Sequence, residues 1–222
     1  MDEGALSFTG ARWRLKPADE EAARRLSAEL GVSAVTARAL CCRGVADAES
    51  ARRFLEDDLD GLADPFLMQD MDRAVEAVEG ALASGHQIRI YGDYDVDGVC
   101  ATALLVRALR GLGGRVDWYI PHRVDEGYGL HEEAVRQAAA EGTRLLITVD
   151  CGTSAAGEVE LARRLGMAVV VTDHHRPDER LPACPVLNPW RPGCGYPYKE
   201  LAGVGVAFRL VSALARSRGL PE

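Results

Sequence analysis

Beyond Gly85, short runs of apolar residues alternate with longer segments in which apolar positions recur every three or four residues. The runs are Ile88–Tyr91, Val116–Ile120, Leu145–Val149 and Ala168–Thr172, each rich in β-branched or aromatic residues and of strand length. Between them the spacing predicts helices over Val99–Leu112, His131–Glu141 and Ser154–Leu165, with a further helix over Val206–Arg218. Strands and helices in that alternation imply βαβ units, hence an α/β fold with a mainly parallel sheet flanked by helices. Upstream, Met71, Ala74, Val75 and Val78 line one face of a helix predicted over Asp70–Ala83. From Ala18 to Leu59 the chain is rich in Ala, Arg and Glu; Leu26, Leu30, Val35 and Leu40 fall at helical spacing, and Gly31 and Gly44 break the segment into short helices. The expected organisation is a small helical N-terminal region, 1–68, followed by a core, 69–222.

Composition narrows the class of protein. Hydrophobic residues at 47% and charged residues at 27% describe a globular chain. Met1–Leu15 mixes charges among isolated apolar residues, so it reads as neither a signal peptide nor a membrane span, and a cytoplasmic protein without a membrane partner is expected. The six cysteines form no C-x-x-C pair, and Cys184 and Cys194 match no common zinc spacing despite lying near His174 and His175; free thiols are expected. A net charge of −8 argues against a generic nucleic-acid binder, so any nucleic acid must meet a local patch. All but Lys16 and Lys199 of the 26 basic residues are arginine, which suits bidentate phosphate recognition.

The acids and histidines fall in a telling pattern. Asp93, Asp95 and Asp97 follow the first strand, Asp150 ends the third, and Asp173-His174-His175 ends the fourth. In an open parallel sheet the carboxyl ends of strands line the ligand crevice, so these distant groups can converge. Five converging carboxylates repel one another unless cations neutralise them, and oxygen-rich ligation with imidazole points to Mn²⁺ or Mg²⁺. Two other readings of Asp93–Gly98 fit less well. An EF-hand loop needs a bidentate Glu where Leu104 stands, and it follows a helix, whereas a strand precedes Asp93. A phosphatase with Asp95 as nucleophile leaves His174 and His175 idle, and Gly92-Asp93-Tyr94 separates Asp95 from its strand.

Tyr91-Gly-Asp93-Tyr-Asp95-Val-Asp97-Gly98, Thr148-Val-Asp150-Cys-Gly152 and Asp173-His174-His175 resemble the first three motifs of the DHH phosphoesterase superfamily. Ile120-Pro-His-Arg123 with Glu126-Gly-Tyr-Gly-Leu130, and Asn188-Pro189 with Cys194–Gly205, are similar to the RecJ-like exonuclease branch, from about Asp70 onward. Branches that act on pyrophosphate or short oligonucleotides usually carry His where this chain has Tyr91.

The resemblance implies metal-dependent 5′ to 3′ hydrolysis of single-stranded DNA in repair and recombination, with two ions about 4 Å apart. It implies that Asp95 and Asp97 bind metal, that Asp150 bridges the ions and acts in catalysis, that His174 completes one coordination shell, and that His175 faces the scissile phosphate. Asp93 and Asp173 can ligate or can orient ligands, and orientation is favoured for both. Arg123 is expected to contact the phosphate backbone or to form a surface salt bridge, and Tyr128 to stack a base or simply sit in its loop. Gly203 and Gly205 are counted with the substrate-binding positions. His86, His122 and His131 have structural explanations, and Cys151 is expected to pack beside its strand end. RecJ-like enzymes carry a further metal-binding Asp and a second domain after the Gly203-Val-Gly205 loop. The expectation is therefore a fragment, either active or reduced to binding metal and nucleic acid.

Overall fold

The computed structural model describes residues 8–12, 14–56, 59, 61–178 and 180–221. Much of the Met1–Leu15 segment read above lies outside them. The chain divides into two units between Leu62 and Ala63, six residues before the boundary read from sequence. Ala63, Phe66 and Met68 pack into the core of the second unit, which places the 3-10 turn Pro65–Leu67 there.

The first unit holds three short helices, α1 (Glu20–Leu30), α2 (Ala34–Cys42) and α3 (Ala48–Leu55). Asp19, Ser33 and Asp47 cap their N-termini by accepting hydrogen bonds from first-turn backbone N–H groups. Gly31 ends α1 at φ 68°, a conformation that favours glycine. Leu26, Ala37, Leu40 and Ala51 form the small core. Val35, read above as part of the helical stripe, is exposed instead.

The second unit is a five-stranded, all-parallel sheet in the order β2-β1-β3-β4-β5: β1 (Gln87–Tyr91), β2 (Arg115–Tyr119), β3 (Thr143–Val149), β4 (Ala168–Thr172) and β5 (Val186–Leu187). Alternation along each strand sorts side chains to two faces. Ile88, Ile90, Leu145, Ile147 and Val170 face α4 (Met71–Ala83), α5 (Val96–Gly111) and α8 (Gly203–Ser217). Tyr91, Leu146, Val169 and Val171 face α6 (Glu132–Ala140) and α7 (Ala156–Arg164). The α/β class, the parallel sheet and the helical N-terminal region are as the sequence pattern predicts.

Two differences have physical causes. The predicted helix over Val206–Arg218 begins three residues earlier, because the Asp97 carboxylate accepts from the Gly203 and Val204 backbone N–H groups at 2.6 Å each. That cap comes from another element and leaves no local trace. The two-residue β5, in a Pro-flanked segment, is too short to show a period. After β1 the chain crosses to β2 on one side, and the next strand, β3, lies on the other. The ends of β1 and β3 therefore flank a crevice of the kind that binds ligands in open α/β sheets.

Arg89 is the one charged side chain buried within a strand of this sheet. It meets its cross-strand neighbour Asp117 in a two-pronged pair at 2.8 and 2.7 Å and reaches Glu141 at 2.6 Å. Both carboxylates are partly exposed, so they regain water when the guanidinium is lost. Arg89→Met is therefore expected to cost about 1–2 kcal/mol. Urea unfolding checks this, and an unchanged midpoint would show that the network adds nothing to stability.

Candidate metal centre

Asp95 is the N-cap of α5, its carboxylate accepting from the Gly98 N–H at 2.9 Å, which starts the helix at Val96 and not at Val99. This hydrogen bond is the main reason its carboxyl lies below the usual range. Two residues on, Asp97 reaches across to the start of α8. Gly98 lets the loop close: a Cβ there would lie 2.6 Å from the Asp93 carbonyl oxygen. Asp150 follows β3 with φ at 61°, a left-handed conformation that Asp tolerates better than most residues. Its backbone N–H still bonds to the Thr172 carbonyl at 2.9 Å, so the strand ladder fixes the residue in this unusual conformation.

The carboxylates of Asp93, Asp95 and Asp150 offer oxygens all within 4.8 Å of one another, and Asp150, His174 and His175 do the same with one ligand atom each. Asp150 is common to both groups. His174 Nδ1 lies 3.0 Å from the Leu201 carbonyl oxygen, to which it must donate; in the neutral ring Nε2 then carries the lone pair, 3.1 Å from Asp150 Oδ1 and 3.6 Å from Asp97 Oδ2. With that tautomer the Nε2 contact is no hydrogen bond, so Asp150 Oδ1 is buried without a donor, and so is Asp93 Oδ1. Burial, then the Asp97 and Asp95 charges, push the Asp150 carboxyl up to about 8. Buried acceptors facing acceptors are costly unless a cation lies among them. The donor set, carboxylate oxygens plus one imidazole nitrogen, fits Mn²⁺ or Mg²⁺.

Asp173 does different work. Its Oδ1 accepts from the His174 and His175 backbone N–H groups at 2.7 and 3.1 Å, and its Oδ2 from the Thr153 N–H at 2.9 Å. His175 Nδ1 sits 2.8 Å from Asp173 Oδ1 and 2.9 Å from the Tyr128 hydroxyl oxygen, while that hydroxyl donates to the Asp150 carbonyl at 3.2 Å. The Asp173 hydrogen bond raises the imidazole's pKa. His175 thus keeps its Nδ1 proton, engaged with Asp173 and the Tyr128 hydroxyl oxygen. Four hydrogen-bond donors thus surround the Asp173 carboxylate, whereas Asp93 Oδ1 is buried without one.

The structure brings Asp93, Asp95, Asp97, Asp150, Asp173, His174, His175 and Tyr128 to one place. Tyr128 is tied to the centre through its hydroxyl, and Tyr91, at the position noted above, holds the same loop by donating to the Gly129 carbonyl at 2.9 Å. Arg123 lies over the Tyr94 ring at 5.0 Å. Gly203 is buried with its N–H on Asp97, and a Cβ there would fall 2.5 Å from Asp150 Oδ1; Gly205 faces Leu201. Both are positions counted above with the substrate-binding residues. His122 pairs with Asp125 and His131 lies 3.3 Å from the Gly127 carbonyl, as structural residues would. Sequence reading gave no role to Asn188 of the Asn188-Pro189 motif, which donates to the His175 carbonyl, and missed Thr153, whose backbone N–H donates to Asp173, and Arg176, stacked at 4.1 Å on Trp190. Arg176 adjoins His175 in sequence, so its position was the one available signal.

Comparison with known proteins gives the same picture. Residues 87–221 match the model of the DHH family, N-terminal domain. The chain is 43% identical to the single-stranded-DNA-specific exonuclease RecJ of Bacillus subtilis over 91% of its own length and 26% of that protein's. With the RecJ of Escherichia coli it shares 44% identity over 80% of this chain and 30% of that protein. Among solved structures, RecJ from Thermus thermophilus in complex with Mn²⁺ superposes with a TM-score of 0.69 at 33% identity, over 93% of this chain and 29% of that one. The chain thus spans about a third or less of the length of these relatives. The chain belongs to the DHH family.

Proposed function

We propose that this chain carries the divalent-cation-dependent phosphodiesterase core of an exonuclease acting on single-stranded DNA. The observation that carries the reading is the convergence of Asp93, Asp95, Asp150 and His174 around buried oxygens that have no donor. The names of the relatives, single-stranded-DNA-specific exonucleases, support the substrate class, and the Mn²⁺ and Mg²⁺ complexes of similar structures support the choice of ion.

Asp150, common to both ligand groups, would be shared between two cations, with Asp93 and Asp95 available to hold one and His174 the other. Asp97 completes the acidic wall while capping α8. Two bound cations would polarise the phosphoryl oxygens and make water a nucleophile near neutral pH. His175, kept protonated at Nδ1 by Asp173 and Tyr128, presents its other edge to the phosphoryl group and offsets charge that develops there. Arg123, propped on Tyr94, and Arg176, propped on Trp190, lie on the loops after β2 and β4 as contacts for flanking phosphates. Stepwise 5′ to 3′ release of mononucleotides and a cytoplasmic setting belong to the same proposal. Among the described residues no helix is long and apolar enough to cross a membrane.

The test is release of nucleotides from an end-labelled single-stranded oligonucleotide with Mn²⁺ present. The parent chain is expected to hydrolyse it, and His175→Ala to be slower by about 100-fold or more. Parent activity no higher than that of the variant, with Mn²⁺ saturating, would refute the reading.

A further inference from the structure

A groove of about 290 Å³ runs between α5 and the outer strand β2, lined by Val99, Thr102, Arg107, Arg110, Trp118 and Ile120 among others. Trp118 is 54% exposed and Val99 43%, an unusual amount of aromatic and aliphatic surface to leave in water. The lining contains two arginines and no acid, although the chain as a whole carries a net charge of −8. The Arg110 guanidinium is fixed: Nε and Nη2 donate to the Val116 carbonyl at 3.0 and 2.7 Å, and its Cζ lies 5.4 Å from the centre of the Trp118 ring.

The groove adjoins the acidic centre. Thr102 and Ile120, at its upper end, pack against Gly92, the residue immediately before Asp93; a Cβ on Gly92 would lie 2.1 Å from Thr102 Oγ1 and 3.5 Å from Ile120 Cγ1. From there α5 carries the lining residues downward from Val99 to Arg110, a rise of roughly 16 Å. The track thus starts beside the catalytic loop and leads away from it along a basic and aromatic surface.

We propose that this groove is a second binding track for single-stranded nucleic acid, with Trp118 as a base-stacking platform and Arg107 and Arg110 facing the strand's phosphates. Flat aromatic surface beside arginines binds single strands without regard to sequence, because every base offers a face to stack and every linkage a charge. Two other occupants fit less well. A peptide strand adding to the edge of β2 would find the Val116 carbonyl already taken by Arg110. A second copy related by a two-fold axis would bring the arginines of one groove against those of the other. The proposal extends the reading of the catalytic site and does not depend on turnover there.

Binding of a fluorescein-labelled oligodeoxythymidylate to the full chain, followed by anisotropy in EDTA, therefore tests it separately from hydrolysis. Trp118→Ala is expected to weaken binding about fivefold or more, while Trp118→Phe, which keeps a ring, stays within about twofold of the parent. Arg107→Ala is expected to lower the slope of log affinity against log salt by about one. Trp118→Ala and Arg107→Ala binding like the parent would overturn the proposal. So would a dimer that Trp118→Ala dissociates with oligonucleotide affinity unchanged, or capture of an acidic peptide in place of the oligonucleotide. If circular dichroism shows Trp118→Ala to be unfolded, the Arg107→Ala salt slope decides: a reduction by one supports the track and an unchanged slope rejects it.

Discussion

Replacing Asp150 with asparagine is expected to abolish both the stabilisation of the chain by Mn²⁺ and its hydrolytic activity, while leaving the fold intact. The carboxylate is the residue common to both ligand groups, and its Oδ1 is one of the buried oxygens without a donor. A cation bound at 100 times its dissociation constant stabilises the folded state by about 2.7 kcal/mol. That increment should be present in the parent and missing in Asp150→Asn. Activity should fall on the order of 100-fold or more, since the groups that gather charge at the phosphoryl centre lose their common anchor. The metal-free variant should be at least as stable as the parent: asparagine accepts the 61° φ of this position, and the amide removes a charge that burial, Asp97 and Asp95 all disfavour. Thermal melts with and without Mn²⁺ separate the two effects. Equal stabilisation of parent and variant would mean that the ion binds elsewhere.

The second large effect is expected at Gly203, where α8 begins against the acidic centre. A Cβ there would lie 2.5 Å from Asp150 Oδ1, 2.8 Å from Cγ and 2.9 Å from Cβ, so rotation of the carboxylate alone does not relieve the clash. Either Asp150 turns out of the cluster or the first turn of α8 retreats, taking with it the Gly203 and Val204 N–H groups that hold Asp97. Gly203→Ala should therefore cost about 1–3 kcal/mol from overpacking, against roughly 1 kcal/mol returned by helix propensity, and should lower Mn²⁺ affinity about 10- to 100-fold. Gly205→Ala is the internal control. Its Cβ would meet only the Leu201 side chain, at 3.2 Å, so it should keep parental Mn²⁺ affinity. Chemical denaturation and Mn²⁺ titration of the two variants give the comparison, and equal affinities would show that close packing of α8 on Asp150 is irrelevant to the site.

The parallel sheet and the convergence of three acidic motifs could be read from the chain because both depend on local pattern. A run such as Leu145–Val149 ending in Asp150 carries its strand and its site residue together. What escaped depends on contacts between distant segments. The early start of α8 comes from Asp97, more than a hundred residues upstream, and the Nδ1 bond that aims His174 Nε2 at Asp150 ends on a backbone carbonyl, Leu201, which any residue could supply. Tyr128 was singled out as a loop aromatic, but its hydroxyl contacts to Asp150 and His175 exist only after the Tyr91–Gly129 bond has set the loop. Asp93 and Asp173 look alike in sequence, each an acid just beyond a strand. They differ because four hydrogen-bond donors from Thr153, His174 and His175 surround Asp173, whereas Asp93 keeps an unpartnered oxygen.

The most direct test of the metal centre is equilibrium binding of Mn²⁺, followed by loss of the free-ion electron paramagnetic resonance signal on titration with protein. The parent chain should bind Mn²⁺ saturably, Asp150→Asn should bind it far more weakly, and His86→Gln, outside both ligand groups, should match the parent. Mn²⁺ left free by the parent, or bound equally by parent and Asp150→Asn, would contradict the account.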